Sequence, residues 1–341
     1  MLDKLKDIAQ KMVASDKGIL AADESTNTIK DRFDVIDVPS TLENRRKYRH
    51  MLFTTEGINN FISGIILYDE TIRQKALDEQ ETPFPKLLAN RGILTGIKVD
   101  TGVHDLPGFS GEKVTEGLDG LGSRLKEYKE LGANFAKWRA VITVGKTIPS
   151  EVCINANAYA LARYAAICQE NGIVPIVEPE VLMDGDHTIE RCDELTNITL
   201  QRVYSALREY NVSLEGTILK PNMVISGSDC KKQSTIEEVA HRTVRNFLNN
   251  VPKQVPGIAF LSGGQSSEKA TEHLNAMNAL YKDLPWELSF SYGRALQAAP
   301  IRSWGGDSSN ITAGQKAFYH RALCNSLART GQYRNDMELD V

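Results

Sequence analysis

Apolar residues recur along the chain in eight short runs, each stopped by a polar or turn-forming residue. The runs are Gly18–Ala22, Ile62–Tyr68, Ile93–Val99, Ala133–Trp138, Ile173–Glu178, Gly216–Lys220, Gly257–Gly264 and Leu288–Arg294. Between and around them, residues 2–15, 41–55, 118–131, 156–169, 188–210, 235–249, 267–281 and 312–329 carry apolar positions at helical spacing or are Ala-rich, and predict helices. A further helix is expected from Asp69 to Asp78, and a Gly/Pro-rich loop over 101–111. Strand-sized runs alternating with helices every ~40 residues are the pattern of repeated βα units with a parallel, doubly covered sheet.

Eight such units predict an α/β fold of the closed (β/α)8 TIM-barrel type. No Pro-, Gly- or Ser-rich linker divides the chain, so residues 1–341 are expected to form a single domain with extra amino-terminal helices. The tail, 330–341, follows a helix, contains Gly331 and lacks apolar periodicity, so it is expected to be mobile. An open doubly wound sheet is the structural alternative. It calls for a Gly-rich dinucleotide turn after the first strand, and Asp23-Glu-Ser-Thr-Asn is not one.

Composition narrows the partners. With 341 residues, 41% of them hydrophobic and 25% charged, the chain has an ordinary globular makeup. A net charge of −4 argues against nucleic acid or an anionic membrane as the main partner, so an anionic substrate requires a locally basic pocket. No run approaches the ~20 apolar residues of a membrane span, and residues 1–10 lack a signal-peptide core. Five cysteines (Cys153, Cys168, Cys192, Cys230, Cys324), an odd count without close pairs, suit a reducing cytoplasm.

The chemistry is carried by the strand ends, which in a barrel of this kind build the pocket. In Thr217-Ile-Leu-Lys220-Pro221 an apolar run leads into a lysine and a proline then forbids the strand from continuing. Such a lysine has its stem in the core and its amine at the pocket. The ordinary lysine pKa of ~10.4 leaves little neutral amine at pH 7, but burial and a neighbouring cation lower it and create a nucleophile. Lys137, in Asn134-Phe-Ala-Lys137-Trp-Arg139, is the second such lysine, and the two are expected to lower each other's pKa. The other strand ends offer Asp23, Asp69, Lys98, Arg139, Glu178 with Glu180, Ser262 with Gly263, and Ser291 with Gly293 and Arg294. Glycines allow backbone N–H groups close to a phosphate, and an arginine adds a charge-assisted bond. Lysines, carboxylates and Gly-flanked turns on one face suggest carbonyl chemistry on a phosphorylated substrate.

Ordered segments from Gly18 to Arg329 carry a resemblance: Gly18-Ile-Leu-Ala-Ala-Asp-Glu-Ser-Thr26, Glu43-Asn-Arg-Arg46, Gly96-Ile-Lys-Val-Asp100, Phe135-Ala-Lys-Trp-Arg139, Val174-Pro-Ile-Val-Glu-Pro-Glu180, Leu219-Lys-Pro-Asn-Met223, Phe260-Leu-Ser-Gly-Gly-Gln265 and Ser289-Phe-Ser-Tyr-Gly-Arg-Ala-Leu296. With them the chain resembles the class I, Schiff-base fructose-1,6-bisphosphate aldolases. The resemblance implies reversible aldol cleavage of a sugar bisphosphate in glycolysis and gluconeogenesis, without a metal or other cofactor. It also implies a cytoplasmic homotetramer. By position it makes Lys220 the Schiff-base lysine, Glu178 the acid/base for carbinolamine dehydration, Lys137 the cation that positions it, and Asp23 the base for the C4 hydroxyl, with Glu180 holding Lys137. Ser262, Gly263, Gly293 and Arg294 match the family's C1-phosphate cradle, and Ser25, Thr28, Lys98 and Arg139 match residues near the C6-phosphate; Ser291, at the same strand end as Gly293, is a further substrate-binding candidate.

Other readings compete for several residues. Asp23 also suits a helix cap, Glu178 a plain counter-ion, and Arg139 a structural ion pair. Asp184-Gly-Asp186-His187 has metal-ligand residue types, but the family carries a similar loop without a metal. The family's vertebrate members end in tyrosine, whereas the last tyrosine here is Tyr333; Thr28 and Asp31 stand where serine and lysine are commoner. A Schiff-base aldolase for another sugar phosphate and a non-catalytic binding protein on the same fold are the alternative functions.

Overall fold

The computed structural model describes residues 2–339. Ten strands run in chain order: β1 Gly18–Ala22, β2 Ile62–Leu67, β3 Leu94–Lys98, β4 Gly102–Asp105, β5 Lys113–Glu116, β6 Phe135–Ile142, β7 Val174–Val181, β8 Ile218–Leu219, β9 Gly257–Phe260 and β10 Glu287–Tyr292. Eight of them close a parallel barrel in the order β1-β10-β9-β8-β7-β6-β3-β2. Twelve α-helices accompany them: α1 Leu2–Met12, α2 Thr26–Asp34, α3 Leu42–Thr54, α4 Asp69–Ile72, α5 Phe84–Asn90, α6 Leu121–Glu130, α7 Glu151–Glu170, α8 Ile189–Glu209, α9 Ile236–Asn250, α10 Ser267–Leu280, α11 Arg294–Trp304 and α12 Ile311–Thr330.

The eight expected strands are the eight barrel strands. The expected loop at 101–111 instead begins an antiparallel hairpin, β4 against β5, outside the barrel. Strand β8 is only two residues long because Pro221 has no N–H to extend it, yet Lys220 N still donates to Val177 O at 2.8 Å and keeps the ladder's line. Among the described residues, no helix is long and apolar enough to cross a membrane.

The interior of the barrel changes character along its axis. At the amino end Ile19, Ala21, Ile66, Phe135, Val174, Ile176, Ile218 and Ala259 form one apolar cluster with Leu5, Ile8, Ala9 and Met12 of α1 and with Val13 just after it. Helix α1 therefore stoppers that end, and Ser63 Oγ donates to Met12 O at 2.6 Å to hold it there. Side chains alternate across a strand, so the inward rows continue two residues at a time toward the carboxyl end. Ala21 leads to Asp23, Phe135 to Lys137 and Arg139, Ile176 to Glu178 and Glu180, and Ile218 to Lys220. The Phe135 ring lies over Gly96 of β3 and Gly64 of β2, the next two strands of the barrel. A Cβ on Gly96 would lie 2.2 Å from its ring, so only glycine fits there.

The described part of the tail lies against the body. Tyr333 is buried, its backbone N donates to Asn275 Oδ1 at 3.0 Å, and Asn335 Nδ2 donates to Glu272 Oε1 at 2.7 Å. Residues 340 and 341 of the tail lie outside the described residues.

Candidate active site

A cavity of about 760 Å³ opens at the carboxyl ends of the strands. All fourteen residues singled out as catalytic or substrate-binding line it: Asp23, Ser25, Thr28, Lys98, Lys137, Arg139, Glu178, Glu180, Lys220, Ser262, Gly263, Ser291, Gly293 and Arg294. Asp69 does not; it starts α4, where it pairs with Arg73 at 2.9 Å and accepts from Tyr128 Oη at 2.9 Å.

Lys137, Glu178 and Lys220 are buried at the centre. Glu178 lies between the two lysines, with Oε1 3.3 Å from Lys220 Nζ and Oε2 3.4 Å from Lys137 Nζ. The second contact is an ion pair without an aimed hydrogen bond, since Glu178 Oε2 has no hydrogen-bond partner. Lys137 Nζ also contacts Asp23 Oδ2 at 2.7 Å. Burial alone would lower the Lys137 pKa, but Asp23, Glu178 and Asp100 around it outweigh that and hold it well above the usual lysine range. The expected mutual lowering of the two lysines is thus reversed at Lys137: two carboxylates in contact outweigh one neighbouring cation. Burial likewise acts to raise Asp23, yet Lys137 and Lys220 hold its carboxyl far below the usual carboxylate range. Lys137 has two carboxylates in contact and Lys220 has one, so Lys137 is fixed as an ammonium.

Glu180 is placed differently from expectation. Its partner is Arg139, whose Nε donates to Oε2 at 2.5 Å, and it does not hold Lys137. The register of β6 on β7 explains this. Lys137 lies level with Ile176 and Arg139 level with Glu178, and each long cation leans one inward layer further, Lys137 to Glu178 and Arg139 to Glu180. Lys98, at the end of β3, pairs with Asp100 Oδ1 at 2.8 Å.

On the opposite wall, Gly263 takes φ +56°, a conformation natural to glycine, and Arg294 Nη2 donates to its carbonyl at 2.7 Å. Gly293 precedes α11, whose free N–H groups face the cavity end of β10. Ser291 Oγ is buried there with no partner, a hydroxyl left for a ligand to satisfy. Ser25 caps α2 and contacts Thr28 Oγ1 at 3.0 Å. Backbone donors, hydroxyls and Arg294 on one side and cations on the other make a site for two anionic groups flanking a carbonyl.

Three residues escaped the sequence reading. Glu24 is buried between Arg32 and Arg49 and accepts from Gln297 Nε2 at 2.7 Å, tying β1 to α2, α3 and α11. Alternation alone would turn it away from the pocket, and only its place beside Asp23 signals it. Arg32 and Asp100 both line the cavity. The signal for Asp100 was its position two residues after Lys98 in Gly96-Ile-Lys-Val-Asp100.

The family model described as fructose-bisphosphate aldolase class-I matches residues 4–340. A probable fructose-bisphosphate aldolase class 1 of Xanthomonas campestris is 56% identical over 334 residues, covering 98% of this chain and 99% of that protein. Fructose-bisphosphate aldolase 4, cytosolic, of Arabidopsis thaliana is 53% identical over 323 residues, 95% of this chain and 82% of its own length. The crystal structure of fructose-bisphosphate aldolase from Plasmodium falciparum superposes with a TM-score of 0.95 at 50% identity, covering 98% of this chain and 96% of that one.

Proposed function

Because the chain belongs to the class I fructose-bisphosphate aldolase family, whose general mechanism is a lysine Schiff base, we propose that Lys220 is the lysine that forms it. The reaction is the reversible, metal-independent cleavage of fructose 1,6-bisphosphate to dihydroxyacetone phosphate and glyceraldehyde 3-phosphate. The observation that supports the choice of Lys220 is the position of Glu178 between two buried lysines, of which Lys137 is committed as an ammonium.

The neutral Lys220 amine adds to the substrate ketone, and Glu178 supplies the proton that lets the carbinolamine oxygen leave as water. The resulting iminium is an electron sink. Asp23, ionised beside Lys137, takes the C4 hydroxyl proton; the C3–C4 bond breaks and its electrons pass into the iminium to give an enamine. Glyceraldehyde 3-phosphate departs, the enamine gains a proton at C3, and water releases dihydroxyacetone phosphate and restores the amine. Ser262, Gly263, Ser291, Gly293 and Arg294 hold the C1-phosphate, and Ser25, Thr28, Lys98 and Arg139 serve the C6-phosphate. Glu180 keeps Arg139 in place. We further propose a cytosolic homotetramer, a reading supported by the cytosolic Arabidopsis relative and by the family resemblance.

Borohydride reduction of the protein with dihydroxyacetone phosphate, followed by peptide mapping, tests this reading. The adduct is expected on the peptide containing Lys220, and Lys220→Met should abolish adduct and turnover together. Labelling at Lys137 alone would overturn the assignment.

A further inference from the structure

Away from the large cavity, His320 and Cys324 lie one turn apart on one face of α12, and Glu338 reaches them from the turn Asn335–Leu339 at the end of the described chain. We propose that these three residues bind a divalent ion of the zinc class and so fasten the carboxyl-terminal segment to α12. None of the three lines the catalytic cavity, so the ion has no part in aldol cleavage.

The geometry carries the proposal. Cys324 Sγ lies 3.4 Å from His320 Nε2, and Glu338 Oε2 lies 3.7 Å from the same nitrogen. All three donor atoms fall within 4.8 Å of one another. Tetrahedral zinc, with bonds of ~2.0 Å to N and O and ~2.3 Å to S, places its ligand atoms about 3.3–3.6 Å apart. The observed spacings are therefore close to those of a bound site, and small side-chain adjustments would complete it.

The donor types favour the same class of ion. An imidazole, a thiolate and a carboxylate suit zinc, whereas magnesium and calcium take oxygen ligands. On binding, the Cys324 thiol gives its proton to solvent and its sulfur becomes the thiolate ligand. Cys324 is buried, while the His320 and Glu338 side chains keep 15% and 20% of their exposure, enough for an ion to enter and for solvent to complete the coordination.

Outer contacts already aim the carboxylate. Tyr333 Oη donates to Glu338 Oε1 at 2.8 Å, and Arg321 Nη1 contacts both carboxylate oxygens. Arg321 is itself fixed to α10 through Thr271 Oγ1 at 2.7 Å. Hydrogen-bonded carboxylates of this kind orient metal ligands and tune their affinity. The thiolate and carboxylate match the two charges of the ion, which leaves Arg321 as an orienting donor.

The test uses the full chain, stripped with a chelator and titrated with cobalt(II), then with zinc. One equivalent of cobalt should produce a thiolate-to-metal charge-transfer band that zinc displaces. Cys324→Ala should remove the band, Glu338→Gln should weaken binding about 10- to 100-fold, and Cys230→Ala, which alters the half-buried cysteine elsewhere, should change nothing. Absence of the band, or its survival in Cys324→Ala, overturns the site. Zinc should also slow hydrogen exchange over residues 330–339 in the unaltered chain and not in His320→Ala. Binding that leaves that exchange unchanged overturns the fastening role.

Discussion

Glu178 Oε1 lies 3.3 Å from Lys220 Nζ, within reach of a proton on the amine or on an oxygen bonded to the same carbon. Replacing that carboxylate with an amide of equal size removes the proton carrier and keeps the packing. Glu178→Gln should lower kcat by about 10²- to 10⁴-fold, the usual contribution of a general acid/base. It should also slow borohydride trapping at Lys220. An unchanged kcat would reduce Glu178 to a counter-ion.

Lys137 and Asp23 set the pH limits of stability through opposite shifts. Asp23 is depressed in the fold, so its contribution is present above ~4 and is lost as pH falls below that value toward its folded pKa. Lys137 is raised, so its contribution is complete below ~10.4 and is lost as pH rises through its folded pKa. Lys137→Met strips Asp23 of its main cation and should cost about 3–5 kcal/mol at neutral pH, as expected for breaking a buried pair. It should also move the acid unfolding midpoint upward. Urea titrations across the pH range check both, and an unmoved acid limb would contradict the assignment.

Arg294 spans the ends of β9 and β10 through the Gly263 carbonyl, beside the proposed phosphate cradle. A hydrogen bond to a charged group contributes ~1.5–3 kcal/mol. Arg294→Ala should therefore reduce kcat/KM for fructose 1,6-bisphosphate by about 10- to 100-fold. An unchanged kcat/KM would place the phosphate elsewhere.

Gly96→Ala brings a methyl group into the Phe135 ring, 2.2 Å from Cε2. Overpacking of this kind costs about 1–3 kcal/mol, read as a lower urea midpoint. Phe135→Leu in the same chain should recover part of the loss. Simple additivity of the two changes would show that the two positions do not compete for space.

The barrel was legible because its inward rows announce themselves: Ile218 to Lys220 at the end of β8, and Phe135 to Lys137 to Arg139 within β6, switch from apolar to charged toward the carboxyl end. The partners of those charges were less legible. Alternation says which way Lys137 and Glu180 point, but only the stagger of β6 against β7 decides that Lys137 meets Glu178 while Glu180 meets Arg139. Three helices were also hidden, one of them the seven-residue Phe84–Asn90, too short to show an apolar stripe. Segment Thr26–Asp34 buries only Ile29 and Phe33, so its apolar stripe is too thin to read, and Arg294–Trp304 carries Pro300 inside it, an ordinary stop signal. The hairpin 102–116 has polar strands on the rim, without the apolar run that marks the barrel strands.

Helix α1 makes the reaction chamber a cul-de-sac. Substrate, water and both products share one doorway at the carboxyl end of the barrel. With Lys220 as the tether, the half bonded to it cannot travel until hydrolysis, so the aldehyde half has to exit first and water has to come in behind it. An aldehyde that lingers in the passage meets an enamine with nowhere to go and is joined to it again. The tether sets the sequence of departures, and the sealed floor favours the return reaction whenever the way out is slow.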